Sequence, residues 1–492
     1  MNVVRFAPSP TGFVHIGSLR TALYNYLYAK KTHGRYLLRV EDTDQSRLVE
    51  GALEGMLEAM KWAGVDHTEG VMIDDEGQVY QEGDNGPYIQ SERLEIYHQH
   101  LQVLIDNKTA YPCFCTKERL DQVREEQKSK GENFKYDGYC RDLSEEEVKE
   151  KMEEGIDHVY RMKLPLNQDV TFSDIVRGEV TVNTSDMDDQ VLLKTDGYPT
   201  YHFAVIVDDH MMEVTHIIRG EEWLTSTPKH VLLYEAFGWE KPVFVHLPNI
   251  LNADKKKLSK RQGDVAVEDF KKKGYLPEAL VNYVALLGWS PEGNQEIFTM
   301  EELEQAFTLE KVSKSGGVFD VQKLNWMNNQ YIKACDLDRL TQLCAQYAAE
   351  AGLMSLEESK EKYDWLKLAV DTVRESMDYL AQFPEKVKIL FEGYPEVLED
   401  DAAEFIKSEH MKELSEVLLA KLKEFKGELS PDDIKALLKE VQKEKGIKGK
   451  NLFMGSRVLF TGSMHGPDIN NLLSLIGREK LIERLEHSQK LL

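Results

Sequence analysis

Cysteine is scarce: five in 492 residues, too few to staple a chain of this length into a disulfide scaffold. Three of them, Cys113, Cys115 and Cys140, lie close together, whereas Cys335 and Cys344 read as ordinary core or surface thiols. Such usage suits a reducing compartment. Long hydrophobic runs are missing too, and none approaches the roughly 20 residues that cross a bilayer. The opening Met1-Asn2-Val3-Val4-Arg5 has no basic stretch leading into an apolar one, so no secretory leader is expected and the cytoplasm is the predicted location. Internal repeats and low-complexity tracts are absent. Positive charge is in deficit, with a formal net charge of -25. Taken alone, that balance argues against a nucleic-acid binder, because phosphate binding draws on Lys and Arg.

The sequence has 41% hydrophobic and 30% charged residues, a globular composition. Its length predicts two to four domains. Basic residues gather locally in spite of the net charge: Lys255, Lys256, Lys257, Lys260 and Arg261; then Lys271 to Lys273; then Lys443, Lys445, Lys448, Lys450 and Arg457. Each run alone reads as a solvated face; together they suit an acidic body that touches RNA along one side.

Val3-Val4-Arg5-Phe6 predicts a strand, Pro8, Pro10 and Gly12 a loop, and Leu19, Leu23, Tyr26 and Leu27 a helix stopped at Gly34. Tyr36 to Val40 predicts a second strand. This is the opening of a doubly wound α/β fold, whose ligands bind beyond the carboxyl ends of the strands. Residues 106–189 read as an insertion. Strand-like runs at Gln190–Leu193 and Phe203–Val207 are expected to complete the parallel sheet. From about 325 the pattern is helical, as in Leu340, Leu343, Cys344 and Tyr347, or Ile434, Leu437, Leu438 and Val441. The expected fold is α/β: a Rossmann-like doubly wound parallel sheet with an inserted domain, followed by an all-α region. The predicted segments are 1–105 and 190–250 for the two halves of the sheet domain, 106–189 for the insertion, 251–325, and two helical domains at 326–380 and 381–492.

Two short segments carry chemistry. The first, Pro8 to Ser18, lies between the first strand and helix, where a helix N-terminus can hold phosphate. Thr11 and His15 can donate to phosphate oxygens there, and Gly17 lets a base approach the backbone. The second, Lys257-Leu258-Ser259-Lys260-Arg261, puts three cations and a hydroxyl in five residues. Such a loop can neutralise charge developing on a leaving pyrophosphate. Either segment alone is weak, since a buried histidine or a surface patch would look the same.

As a pair, His15-Ile16-Gly17-Ser18 and Lys257-Leu258-Ser259-Lys260-Arg261 resemble the two signatures of class I aminoacyl-tRNA synthetases. Ser18 stands for the usual second His, and Leu258 and Arg261 for Met and Ser. Further stretches resemble bacterial-type glutamyl-tRNA synthetases: Arg5 to Gly12, Arg39 to Asp44, Gly197 to His202, Val207 to His210, Arg219 to Trp223, Phe319-Asp320 with Trp326 to Asn328, and Leu459 to Gly462. The resemblance runs along essentially the whole chain. It implies glutamate–tRNA ligation with ATP and Mg²⁺, with tRNA(Glu), and tRNA(Gln) left open, as partner. It also implies that tRNA must be present before glutamate is activated. His15, Lys257 and Lys260 become the expected catalytic residues, and Thr11, Gly17, Ser18, Ser259 and Arg261 complete the ATP set.

Glutamate offers two carboxylates and an ammonium, and arginine forks bind carboxylates in pairs of hydrogen bonds. Arg5 and Arg219 leave separate strands and can face one crevice. Glu41, with Ser9 beside it, can hold the ammonium, and Tyr201 can add a hydroxyl. These positions match the family's glutamate-binding residues, with Arg5 expected at the side-chain carboxylate.

Structural zinc wants four ligands, and Cys113, Cys115 and Cys140 supply three. Some relatives finish with Cys-x-His, where this chain has Asp142. Others use Tyr-x3-Cys, which Tyr136 to Cys140 matches, so Tyr136 is the preferred fourth ligand. The resemblance further implies that the insertion binds the tRNA acceptor end, that 251–325 contacts the stem, and that the helices form an anticodon cage. Glutaminyl enzymes carry β-barrels there, and the short glutamyl-queuosine tRNA(Asp) enzymes lack the region. Arg374 falls near an anticodon-reading position, although an exposed helical arginine would look the same. Two other classes compete: a small-molecule nucleotidyltransferase, which has no use for the helical third, and a non-catalytic tRNA-binding paralogue, which should have lost His15 or Lys260. A monomer is expected.

Overall fold

The computed structural model describes residues 1–132, 134–259 and 265–492. They form two units: Met1–Phe270 with Leu280–Asp320, and Lys271–Ala279 with Val321–Leu492.

The first unit opens as the sequence suggests. Strand β1 (Val3–Phe6) is buried along its length. Helix α1 (Ile16–Thr32) is capped by His15, whose Nδ1 accepts from the Gly17 N–H at 3.0 Å. The helix ends with His33 in the left-handed region at φ 50°. Gly34 therefore has a different duty from the one predicted: a Cβ there would lie 2.3 Å from the Asn2 carbonyl oxygen. That close approach sets β2 (Arg35–Leu38) beside β1, with Arg35 N–H donating to Asn2 O at 2.9 Å. After α2 (Ala52–Trp62), β3 (Glu69–Ile73) joins β2 in parallel and β4 (Val79–Glu82) closes that edge antiparallel.

After α3 (Leu94–Asp106) come β5 (Ala110–Cys113), α4 (Lys117–Ser129), α5 (Glu145–Glu153), β6 (Val159–Met162), β7 (Asp169–Asp174), β8 (Gly178–Asn183) and β9 (Val191–Leu193). Then follow α6 (Tyr201–Met211), β10 (His216–Gly220), α7 (Thr227–Phe237) and β11 (Val243–Leu247). β10 lies beside β1, joined by Thr215 N–H to Val3 O and Val3 N–H to Thr215 Oγ1, both 2.9 Å. Two parallel ladders, β3-β2-β1 and β10-β11, thus meet edge to edge at β1 and β10 in the spatial order β3-β2-β1-β10-β11, and the order reverses direction between β1 and β10, where such sheets bind ligands.

Two expectations about this sheet fail. Phe203–Val207 is not a strand but the middle of α6, and each of its residues has no exposed surface. A short apolar run buried on all sides carries no period that separates helix from strand. Val191–Leu193 is a strand, but it pairs antiparallel with β6 in the three-stranded sheet β5-β6-β9. The strands that complete the parallel sheet are β10 and β11. The predicted insertion also divides. Its β7–β8 hairpin joins the sheet domain through Phe244 of β11 opposite Asp174 of β7, while β9, beyond residue 189, belongs with β5 and β6.

The second unit is helical from Val321–Ala334 to Arg478–Ser488. The faces read from the sequence point inward: Leu340, Cys344, Ile434, Leu438 and Val441 are buried in one cluster that runs from Leu276 to Leu485. This cluster passes through 380/381 without a break.

Candidate active site and cysteine cluster

The strand ends at the β1/β10 switch point open into a cavity of about 1030 Å³. Its wall contains Arg5, Ser9, Glu41, Tyr201 and Arg219 together with Thr11, His15, Gly17, Ser18, Lys257 and Ser259. Every glutamate- and ATP-site residue predicted from the sequence, apart from two, therefore meets in one place. The two are Lys260 and Arg261, which lie outside the described residues.

The phosphate end is built by backbone pairing. Ile16 N–H donates to Val265 O and Val267 N–H to Val14 O, both at 2.9 Å. These rungs fasten the first signature to residues just past the second. On the near side, Leu258 N–H donates to Ile250 O at 2.9 Å, and Leu251 bridges Lys257. The His15 ring lies over Gly17, where a Cβ would come within 3.2 Å of Nδ1.

The floor is a network of buried charge. On α6, Asp209 accepts from Arg5 Nε (3.0 Å) and Nη2 (3.2 Å) and from Arg39 Nη1 (2.8 Å). Burial pushes the Asp209 carboxyl up, but Arg5 and Arg39 more than offset this and hold it below the usual range. Asp208 accepts from Arg93 Nε (2.7 Å), Gln90 (2.8 Å) and Tyr97 (2.9 Å). Arg39 also donates to Glu41 at 3.1 Å. Burial raises the Glu41 carboxyl to about 7, and Arg39 and Arg5 only partly oppose it.

Arg219, on β10, is 4% exposed and is held differently. Its Nε donates to His246 Nε2 (3.1 Å), Nη1 to Tyr201 Oη (3.3 Å), and Nη2 to Thr227 Oγ1 (3.0 Å) and His230 Nδ1 (3.1 Å). Tyr201 stacks on Trp223 at 3.9 Å, and burial pushes its hydroxyl up to about 12.

The motifs in the sequence contain Asp208, Asp209 and Trp223 but assign them no role, and His230 and His246 lie outside those motifs. For the aspartates a signal existed: two acids that continue an apolar run are candidates for burial beside it, and buried acids need basic partners.

In the insertion, the Cys113, Cys115 and Cys140 sulfurs lie within 4.8 Å of one another. Tyr136 Oη is 3.3 Å from Cys113 Sγ and 3.8 Å from Cys115 Sγ, and Cys115 and Cys140 are 3.6 Å apart. A tetrahedral ion with bonds of about 2.3 Å spaces its sulfurs by just under 4 Å, so the donor set fits zinc. The hydrogen bond with Cys140, then that with Tyr136, draws Cys113 down to about 4 against burial. Asp142 stands apart, 85% exposed and paired with Lys163 at 3.5 Å. In the helical unit, Arg374 pairs with Asp371 at 3.4 Å. Arg457, counted in a basic run, is buried and donates to Pro467 O at 2.6 Å.

Residues 2–326 match the family described as tRNA synthetases class I (E and Q), catalytic domain, and residues 339–489 match an anticodon binding domain. The chain is 60% identical over 488 residues to a glutamate–tRNA ligase of Clostridioides difficile, covering 99% of each. It is 60% identical over 485 residues to that of Alkaliphilus metalliredigens, covering 98% of each. A crystal structure of a glutamate tRNA ligase from Elizabethkingia meningosepticum, in complex with its amino acid, superposes with a TM-score of 0.88 at 36% identity over 99% of both chains. No described helix is long and apolar enough to cross a membrane.

Proposed function

The chain belongs to the class I tRNA synthetases (E and Q), and from that premise we propose how its crevice works. The activity is ATP-dependent ligation of glutamate to tRNA. A glutamate carboxylate oxygen attacks the α-phosphate of ATP, giving glutamyl-adenylate and pyrophosphate. A hydroxyl of the tRNA 3′-terminal ribose then attacks the adenylate carbonyl and releases AMP. Neither step needs a protein nucleophile. The protein positions the reactants and stabilises charge.

One observation carries the assignment of roles: the first signature, the described part of the second (Lys257 to Ser259) and the charged pocket share a single cavity. Glu41 takes the substrate ammonium, with Ser9 beside it. Arg219 and Tyr201 take a carboxylate, and Arg5 faces the same pocket from β1. His15, Thr11, Gly17 and Ser18 receive ATP at the start of α1. Lys257, Ser259, Lys260 and Arg261 neutralise the departing pyrophosphate. ATP enters with Mg²⁺, which prefers phosphate and water oxygens to a protein cage and adds positive charge at the phosphates.

Cys113, Cys115, Tyr136 and Cys140 are proposed to hold one structural zinc, which would neutralise the thiolates and tie the turn at 136–140 to the end of β5. The insertion is proposed to receive the acceptor end of tRNA, and 251–325 its stem. The helices, in sections 326–380 and 381–492, are proposed to receive the anticodon, which the match at 339–489 supports. We place the protein in the cytoplasm as a monomer, with tRNA(Glu) as partner.

The test is charging with radiolabelled glutamate on separate tRNA(Glu) and tRNA(Gln) transcripts, with glutamine as competitor. Acid-precipitable glutamate on tRNA(Glu) is expected. Signal on both tRNAs adds tRNA(Gln) as a substrate. Charging with glutamine overturns the assignment of Arg5, Glu41 and Arg219.

A further inference from the structure

Arg219 has no ion-pair partner among the described residues. Its neighbours are a tyrosine, a threonine and two histidines. Strand register places one of them: Arg219 of β10 stands opposite His246 of β11.

An arginine only donates hydrogen bonds, so the proton positions follow. His246 Nε2 must be a lone pair, and its proton sits on Nδ1, donated to Asp174 Oδ2 at 2.7 Å. His230 Nδ1 must be a lone pair as well, so its Nε2–H donates to His202 Nδ1 at 3.0 Å. Tyr201 Oη accepts from Arg219, which leaves the hydroxyl proton for another acceptor. Of the five guanidinium N–H groups, four are taken. One Nη1–H remains beside the Tyr201 O–H, at the cavity wall.

We propose that His246, His230 and Asp174 are positioning residues of the carboxylate subsite, which hold Arg219 by neutral acceptors and so keep its charge for bound glutamate. This rests on the reading that Arg219 takes a glutamate carboxylate. Carboxylates around Arg219 would fix the guanidinium equally well but cancel its charge; Arg5, paired with Asp209, is an example in the same pocket. Burial first, helped by the charges of Arg219 and, at His202, of Lys229 before it, lowers His246 and His202 to about 4 and holds His230 well below the usual histidine value. All three rings are neutral at pH 7.

The two rings accept through different nitrogens, and this sets the test. Asn places its oxygen near the Nδ1 position of histidine, and Gln near the Nε2 position. His246→Gln therefore keeps an acceptor at Arg219, whereas His246→Asn loses it; at 230 the order reverses, and His230→Asn keeps what His230→Gln loses. Each variant that loses the acceptor should raise the KM for glutamate about tenfold or more over its partner variant, with the KM for ATP unmoved. Equal glutamate KM values within both pairs overturn the proposal. Arg219→Lys tests the underlying reading: an unchanged glutamate KM there rejects the Arg219 assignment itself. ¹⁵N spectra of histidine-labelled unmutated protein give an answer independent of folding in the variants. The expected protons are on Nδ1 of His246 and Nε2 of His230, and the opposite tautomers overturn the proposal.

Discussion

At the floor of the crevice, the carboxylates of Glu41, Asp208 and Asp209 interlock with the guanidiniums of Arg5, Arg39 and Arg93. In the insertion, three thiols and a phenol crowd within hydrogen-bonding reach of one another. Both regions concentrate polar atoms away from water, but they settle their charge differently. The floor of the crevice, Arg219 on its wall apart, is balanced by the chain itself, so its geometry exists before any ligand arrives, which is what positioning catalysis requires. The cysteine cluster is a set of acids facing acids, which the zinc proposed above would complete from outside. One region carries its own counter-charges, and the other brings together donors that lack a cation of their own among the described residues.

The sharpest way to break this contrast is Asp209→Asn. It strips two buried arginines of their shared anion, and loss of one partner of a buried pair costs roughly 3–5 kcal/mol. Chemical denaturation should show a loss of that size, and an unchanged midpoint would mean that the network is not what balances the crevice. Next comes the metal. Purified protein should carry about one zinc per chain by elemental analysis, and Cys140→Ser should carry none. Chelation of the unmutated protein should lower its melting temperature. Zinc-free protein with an unaltered melting curve would remove the cluster from the list of structural elements.

A smaller effect tests Glu41. Its carboxyl titrates near 7 in the folded protein, and the substrate ammonium needs it ionised. The KM for glutamate should therefore fall by up to about tenfold per pH unit as pH rises toward 7, then level off, while the KM for ATP does not follow. A flat profile would separate Glu41 from the ammonium. The smallest effect is on stability. His202 and His246 are depressed to about 4 when folded, against 6.5 when unfolded. Between those values the unfolded chain binds more protons, so their contribution is full above 6.5 and is lost as pH falls toward 4. Denaturation midpoints taken at pH 7.5, 6 and 5 should decline, and less steeply in His246→Gln.

Much of the phosphate end was legible in the sequence, because His15, Gly17, Lys257 and Ser259 belong to short continuous segments. Tyr136 was legible only through the resemblance to relatives with Tyr-x3-Cys, and its hydroxyl does lie 3.3 Å from Cys113 Sγ. The parallel sheet was only half legible. Its first half alternates strand, loop and helix with clear punctuation, whereas Phe203–Val207 is uniformly apolar and leaves the period undefined. The support of Arg219 was hidden. His246 is 27 positions away and Asp174 is 72 from His246, and they meet only because β10, β11 and β7 pair in one register.

That register also fixes where the chain can be cut. A minimal catalytic fragment designed by excising 106–189 would discard Asp174 along with the cysteine cluster and expose the far edge of β11 to pairing with other chains. The separable module is smaller and discontinuous, and any trimmed or chimaeric enzyme must keep 169–183 with the catalytic half.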